Sequence, residues 1–209
     1  MTAADSWDEH YSSKPQVWSG RVNAQLAAVA GQLTPGRALD LGCGEGADAI
    51  WLAEHRWTVV AVDVSAVALD RAHAAARERG VDSLIDFVCT DFGFIDTETD
   101  LPAGPFDLVS AQFLHSTVEL DRPAVLRRAA EAVAPGGSLL IVDHAAAPPW
   151  AVRMQHHDFP TAEQVIEGLR LDPAGWERVR VESVDRLTRG PDGAEATLTD
   201  NLIWLRKVA

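Results

Sequence analysis

The residues of this chain best suited to chemistry stand in the run Asp40-Leu41-Gly42-Cys43-Gly44-Glu45-Gly46 and at Asp63, which ends the apolar run Val59-Val60-Ala61-Val62. Glycines at three alternate positions let the backbone turn sharply and let a ligand approach it, because no Cβ stands in the way. Asp63 lies 17 positions beyond Gly46, where a carboxylate can accept two hydrogen bonds from the hydroxyls of a ribose. Asp40 narrows the choice of ligand. An anion beside the loop opposes a diphosphate, and the dinucleotide pattern G-x-G-x-x-G is met only if Gly42, Gly44 and Ala47 are forced into it. The same anion suits a ligand that carries an ammonium and a sulfonium. Two histidines, His115 and His144, follow later apolar runs. Either could take a proton from a nucleophile, and either taken singly could be an ordinary loop histidine.

These residues need a scaffold that brings strand ends together. Apolar runs alternate with amphipathic stretches, the pattern of a parallel sheet covered on both faces, an α/β doubly wound fold. The pattern predicts strands near 37–41, 58–62, 84–89, 106–110 and 138–142, with helices at about 46–55, 65–79 and 122–134. Ser65 caps the second helix and Gly80 ends it; Pro123 suits the first turn of the third, and Pro135-Gly136-Gly137 stops it. Thr161 and Gln164 form a capping box for a helix reaching about residue 170. Two long strand-like runs, Trp176 to Leu187 and Glu195 to Lys207, flank Arg189-Gly190-Pro191-Asp192-Gly193 and predict an antiparallel hairpin. In such a sheet the glycine loop, Asp63, His115 and His144 all fall at the carboxyl edge, where open α/β sheets bind ligands.

Composition excludes several classes. With 209 residues and 47% hydrophobic content, the chain can bury a core without disulfides or metal, and a single domain over 1–209 is expected. Its formal net charge of -13 argues against nucleic acid, whose phosphates it would repel. No stretch approaches the roughly 20 apolar residues of a membrane span, and the N-terminus lacks a basic segment followed by an apolar run, so no membrane partner and a cytoplasmic location are expected. Cys43 and Cys89 show no zinc-like spacing and are read as reduced thiols. The oligomeric state is not legible.

At the glycine loop and Asp63 the chain resembles the class I S-adenosylmethionine-dependent methyltransferases, whose first motif is an acid-x-G-x-G-x-G. The resemblance implies their Rossmann-like methyltransferase fold, a seven-stranded sheet, mostly parallel, whose last strand inserts antiparallel beside its predecessor in a C-terminal hairpin. It implies S-adenosylmethionine as cofactor, held by Asp40, Gly42, Cys43, Gly44, Gly46 and Asp63. By the same resemblance Val64 packs against the adenine, Asp91 accepts from the adenine amino group, and the Phe92 backbone addresses a ring nitrogen. Gln112 and Phe113 lie near the methionine portion. Residues 1–30 resemble the lids of small-molecule methyltransferases of the tellurite-resistance and thiopurine kind. There Tyr11 and Trp18 would line the cofactor, and Arg21 would pair with its carboxylate, the chain having only two lysines, Lys14 and Lys207. The plainer alternative is an amphipathic helix packing its aromatics on the sheet.

The implied reaction needs little from the protein beyond holding an acceptor in line with an activated methyl. A base, His115 or His144, matters only for an acceptor that is protonated at working pH. The aromatic N-terminus and the Pro148-Pro149-Trp150 loop suggest a pocket for a small-molecule acceptor, a thiol, phenol or nitrogen heterocycle. The segment His144 to Pro160, with Met154, would cap it. A metal site from His144, His156, His157 and Asp158 is conceivable, but adjacent loop histidines are more often solvated, and none is expected. Two alternatives stand beside methyl transfer. A nicotinamide-dependent reductase of the short-chain kind would need Tyr-x-x-x-Lys, and the one tyrosine, Tyr11, has Pro15 at that position. A non-catalytic S-adenosylmethionine-binding module would keep the fold without turnover.

Overall fold

The expected alternation of strands and helices is present in the computed structural model, which describes residues 2–92, 101–116, 118, 120–151 and 159–209. Seven strands, β1 (Arg37–Leu41), β2 (Thr58–Asp63), β3 (Ile85–Cys89), β4 (Phe106–Gln112), β5 (Val133–His144), β6 (Trp176–Arg189) and β7 (Glu195–Lys207), form one sheet in the order β3-β2-β1-β4-β5-β7-β6. β1 to β5 are parallel, and β7 runs antiparallel between β5 and β6. The strand order reverses between β1 and β4, which opens a crevice at their carboxyl ends.

Alternate residues of each strand face two apolar layers. Leu39, Leu41, Val60, Val62, Val109, Leu139, Ile141 and Ile203 pack with α5 (Arg122–Glu131) and α6 (Ala162–Leu169). Ala38, Val59, Ala61, Leu108, Leu140, Val142 and Leu202 pack with α2 (Ala24–Ala30), α3 (Ala47–Glu54) and α4 (Ala66–Arg79). A strand buried on both faces must be apolar throughout, which is why these runs do not alternate with polar residues. A further α-helix, α1 (Ala3–Ser12), lies against α4.

The local stop and start signals act as expected. The Ser65 side chain accepts from Ala68 N–H, and Gly80 closes α4 at φ 69°. The Thr161 and Gln164 capping box is formed in both directions. Asp121 caps α5, with Pro123 in its first turn. The third predicted helix is too long, however. α5 ends at Glu131, because Val133 already pairs with Phe106, and the next paired residue of β5 is Ser138 opposite Leu108. Residues 134–137 thus interrupt a strand instead of only stopping a helix, and a Cβ on Gly137 would lie 2.9 Å from the Phe106 carbonyl oxygen.

The hairpin reaches past the sheet. β5 ends with His144 opposite Asp200, while β6 and β7 go on pairing with each other out to Arg189 opposite Glu195. Five residues of β7 therefore overhang the carboxyl edge by about 17 Å. Trp150 packs on the turn of this overhang, since a Cβ on Gly190 would come 3.0 Å from its ring. No helix among the described residues is long and apolar enough to cross a membrane.

Candidate active site

Gly42, Gly44 and Gly46 all adopt positive φ, at 71°, 52° and 83°, a region closed to most side chains. The turn is pinned beneath by Gly42 and Cys43 N–H, which donate to the Val62 carbonyl at 2.8 and 3.0 Å. Asp63 holds it from the side, one oxygen accepting from Gly44 N–H at 2.8 Å and the other from Ser65 N–H at 2.9 Å. Burial raises the Asp63 carboxyl above its ordinary range, against the pull of these N–H groups. Asp40 is 2% exposed, and its Oδ2 has no hydrogen-bond partner among the described residues. Burial first, then Asp48 and Asp63, push its carboxyl well up. Asp48, which sequence reasoning did not single out, is pushed up to about 6 by burial, opposed by a 2.7 Å hydrogen bond from Asn23 N–H. Among the described residues none of the three carboxylates has an ion-pair partner, so a cationic ligand is what this site lacks least comfortably. The Cys43 thiol is raised by burial and by Asp63 and Asp40, and stays protonated.

The N-terminal segment covers the loop. Asp8 accepts from Ser65 Oγ at 2.5 Å and from Val67 N–H at 3.2 Å, which fixes α1 to the start of α4. Trp7 Nε1 donates to Ser116 Oγ at 3.4 Å across the crevice. Tyr11 is buried, and its hydroxyl lies 2.8 Å from where a Gly44 Cβ would stand. Trp18 Nε1 donates to that hydroxyl at 3.0 Å. Burial, then Asp63, raise the Tyr11 pKa, so its O–H remains a donor. Glu45 accepts from Val17 and Trp18 N–H, and Arg71 ties Glu45 to the Tyr11 and Lys14 carbonyls at 2.8 to 2.9 Å. Tyr11 thus packs on the glycine loop, while Trp18, hydrogen-bonded to it, stays half exposed. Arg21 stands apart, exposed, in a groove between α3 and α4 beside Trp51, Glu54 and Arg79.

Val64 and Asp91 are half-buried just beyond the ends of β2 and β3. The Phe92 side chain is buried in the core layer of α5 and α6, which leaves only its backbone for a ligand. Cys89 Sγ donates to the Val64 carbonyl at 3.6 Å. After β4, Gln112 Nε2 donates to Ser110 Oγ at 2.9 Å, while its buried Oε1 has no partner among the described residues. Phe113 takes φ 52°, unusual for an aromatic residue, and its N–H donates to the Val142 carbonyl at 2.8 Å.

That turn stacks the Phe113 ring on His144, centroids 4.5 Å apart, and the His115 ring lies parallel to His144 within 9° at 5.7 Å. The two predicted histidines therefore share one site. Each has a buried carboxylate near it that sequence reasoning missed. His144 Nδ1 hydrogen-bonds Asp200 Oδ1 at 3.3 Å, and His115 Nε2 lies 4.0 Å from Asp143 Oδ1. Arg186 Nε donates to Asp200, and Arg122 Nη2 to Asp143. A usable signal existed: Asp143 directly follows the apolar run predicted as a strand over 138–142, and Asp200 stands in the run Glu195 to Lys207 just before Leu202-Ile203-Trp204. His156, His157, Asp158 and Met154 lie outside the described residues. Among those described, no group of three or more His, Cys, Asp or Glu could hold a metal ion.

The family described as "Methyltransferase domain" matches residues 38–137, the stretch from β1 into β5. Thiocyanate methyltransferase 1 of Arabidopsis thaliana is 30% identical over 185 residues, 84% of this chain and 75% of that protein. The 2-heptyl-1-hydroxyquinolin-4(1H)-one methyltransferase of Mycobacteroides abscessus is 35% identical over 117 residues, 54% of this chain and 49% of its relative, so the match spans about half of that protein's length. The N-methyltransferase NodS of Bradyrhizobium japonicum, solved with S-adenosyl-L-homocysteine, shares the fold at a TM-score of 0.68 and 20% identity over 99% of both chains. With a family match across the glycine loop and a methyltransferase relative 30% identical over three quarters of its own length, the chain belongs to the class I S-adenosylmethionine-dependent methyltransferases.

Proposed function

We propose that this enzyme methylates a compact small molecule, a thiol, phenol or nitrogen heterocycle, held at the carboxyl edge of β4 and β5. The observation that carries the reading is the pairing of two sites across one crevice, a cation-seeking glycine loop on β1 and β2 and an imidazole pair on β4 and β5. Asp40 and Asp63 fit the cofactor because their buried carboxylates lack a cation, and Gly44 fits it because its missing Cβ lets Tyr11 and Trp18 close directly over the loop. Bound S-adenosylmethionine supplies a methyl group already activated on sulfur, and the C–S bonding pair returns to sulfur on transfer.

The chain's own residues bind and orient. Asp63 accepts from ribose hydroxyls, Asp40 offsets positive charge, and Gly42, Cys43, Gly44 and Gly46 give backbone access. Val64, Asp91 and the Phe92 backbone hold the adenine, while Gln112 and Phe113 bound the methionine portion. Within a single domain spanning 1–209, residues 1–30 cover the site and exclude water, with the Tyr11 O–H and Trp18 facing the cofactor. Arg21 would have to leave its groove to reach a carboxylate. His115 or His144 takes the acceptor's proton where there is one. The acceptors named for the two relatives, thiocyanate and 2-heptyl-1-hydroxyquinolin-4(1H)-one, are compact molecules, and a net charge of -13 disfavours nucleic acid.

Turnover on a panel of small thiols, phenols and azoles, with tRNA and DNA as controls, tests the acceptor class; methylation of nucleic acid alone would refute it. For the cofactor half, Asp63→Ala should weaken S-adenosylhomocysteine binding by about 1.5 to 3 kcal/mol, read by calorimetry. Unchanged affinity would remove Asp63 from the site.

A further inference from the structure

The geometry points to Asp200, held by Arg186, as the residue that makes His144 the general base, and hence to acceptors whose nucleophilic atom carries a proton at neutral pH, phenolic hydroxyls or azole N–H groups. This inference rests on the methyl-transfer reading above and narrows its acceptor.

The two histidines are not equivalent. His144 Nδ1 is within hydrogen-bond distance of Asp200 Oδ1 at 3.3 Å, whereas His115 Nε2 is 4.0 Å from Asp143 Oδ1, beyond it. Asp143 is already engaged by Arg122. A carboxylate facing Nδ1 keeps the proton on that nitrogen, so the lone pair stands on Nε2. Asp200 is 1% exposed and cannot swing away, because Arg186 binds its other oxygen. Phe113 stacks against the imidazole and carries the Arg186 guanidinium 5.5 Å from its own ring centroid, which closes a packed unit of Phe113, His144, Arg186 and Asp200. With 30% of its side chain exposed, His144 remains reachable. The unit lies where β5 meets the overhanging hairpin, and Asp200 and Arg186 come from the two hairpin strands.

The charges of the cluster select the acceptor. Arg186 is matched by Asp200 and Arg122 by Asp143, so neither guanidinium is left over to hold an anion. A neutral acceptor suits such a site, and a neutral acceptor must lose a proton as it is methylated. That proton passes from the acceptor heteroatom to His144 Nε2. The pair freed on the heteroatom forms the bond to the methyl carbon, and the imidazolium, stabilised by Asp200, returns the proton to solvent. Asp200 and Arg186 are positioning residues in this scheme, and His144 touches the acceptor.

The test compares ring-substituted phenols of graded acidity with thiophenol, which reacts as its anion and needs no base. Asp200→Asn should lower kcat on the least acidic phenol by about 10²-fold, by less on more acidic phenols, and leave thiophenol turnover within about twofold. The acid limb of its pH-rate profile on phenol should move to lower pH, since the imidazolium has lost its counter-charge, and Asp200→Glu should restore part of the rate. Asp200→Asn strands a charged Arg186. The double variant Asp200→Asn with Arg186→Gln removes both charges, keeps the fold in reach, and should show the same dependence on acceptor acidity. S-adenosylhomocysteine affinity, read on every variant, should match the wild type, and the double variant should regain melting temperature that the single variant loses by stranding Arg186. Equal losses on phenols and thiophenol, or no loss on phenols, would overturn the role of Asp200. A wild type that methylates thiophenol and neither phenols nor azoles would overturn the acceptor class while leaving methyl transfer standing. Failure of the wild type to bind S-adenosylhomocysteine would remove the underlying reading and this one together.

Discussion

Three carboxylates without a cation among the described residues, Asp40 and Asp63 buried and Asp48 half-buried, decide how the loop behaves with pH. Asp48 rises to about 6, and Asp40 and Asp63 rise with it, burial being the largest cause in each case. A carboxyl raised in the folded state binds its proton more tightly folded than unfolded, where it titrates near 3.9. For Asp48 the contribution to stability is therefore complete below about pH 4 and lost as pH rises through about 6, and for Asp40 and Asp63 it is lost as pH rises through their own raised values. A ligand that brings positive charge reverses this balance, because it favours the ionised carboxylates. S-adenosylhomocysteine, through its ammonium, should then bind more tightly as pH rises from about 4 to 7, with net release of protons. Calorimetry in two buffers of different ionisation enthalpy reads the proton count directly, and proton uptake on binding would contradict the assignment. The carboxylates themselves were only partly legible. Asp40 and Asp63 stood out because they end apolar runs beside glycines, but Asp48 sits inside a helix and looks like an ordinary surface acid until α2's start folds over it.

Between elements, the decisive contacts are those that no local pattern encodes. Helix caps and the hairpin could be read because each depends on residues within a few positions of one another. Asp200 meets His144 across 56 positions, and Arg71 meets the Tyr11 carbonyl across 60; chain neighbours say nothing about such pairs. The same holds for β5, where Pro135-Gly136-Gly137 reads locally as a helix stop and becomes a strand interruption only once β4 is alongside. Arg71 offers a test at this scale. It joins Glu45, the Tyr11 carbonyl and the Lys14 carbonyl, and so clasps α1 and the segment after it onto α4. Arg71→Ala leaves a mostly buried Glu45 unpaired and frees the cover. Hydrogen exchange of residues 3–18 should rise sharply in the variant, and S-adenosylhomocysteine affinity should fall about tenfold or more, as expected for loss of a charge-assisted pair. If exchange rises while affinity holds, the N-terminal segment packs on the loop without contributing to binding.

Across the whole molecule, the sheet order and the charge act together on one ligand choice. The reversal of strand order between β1 and β4 makes a crevice that could serve either a dinucleotide or S-adenosylmethionine. What separates them is electrostatic: Asp40, Asp48 and Asp63 cluster at the glycine loop within a chain of net charge -13. A diphosphate would face both, whereas an amino acid head group brings an ammonium to the same place. Ligand binding to the native state alone stabilises it by about 2.7 kcal/mol at one hundred times Kd. For a chain of about 200 residues each kcal/mol corresponds to roughly 2 to 4 °C, so saturating S-adenosylhomocysteine should raise the melting temperature by about 5 to 10 °C. NADH at the same concentration should leave it unchanged. Raising the salt concentration should narrow the gap between the two ligands only slightly, because buried carboxylates are screened far less than surface charges. A melting shift with NADH and none with S-adenosylhomocysteine would mean that the acidic floor of the crevice does not select the ligand.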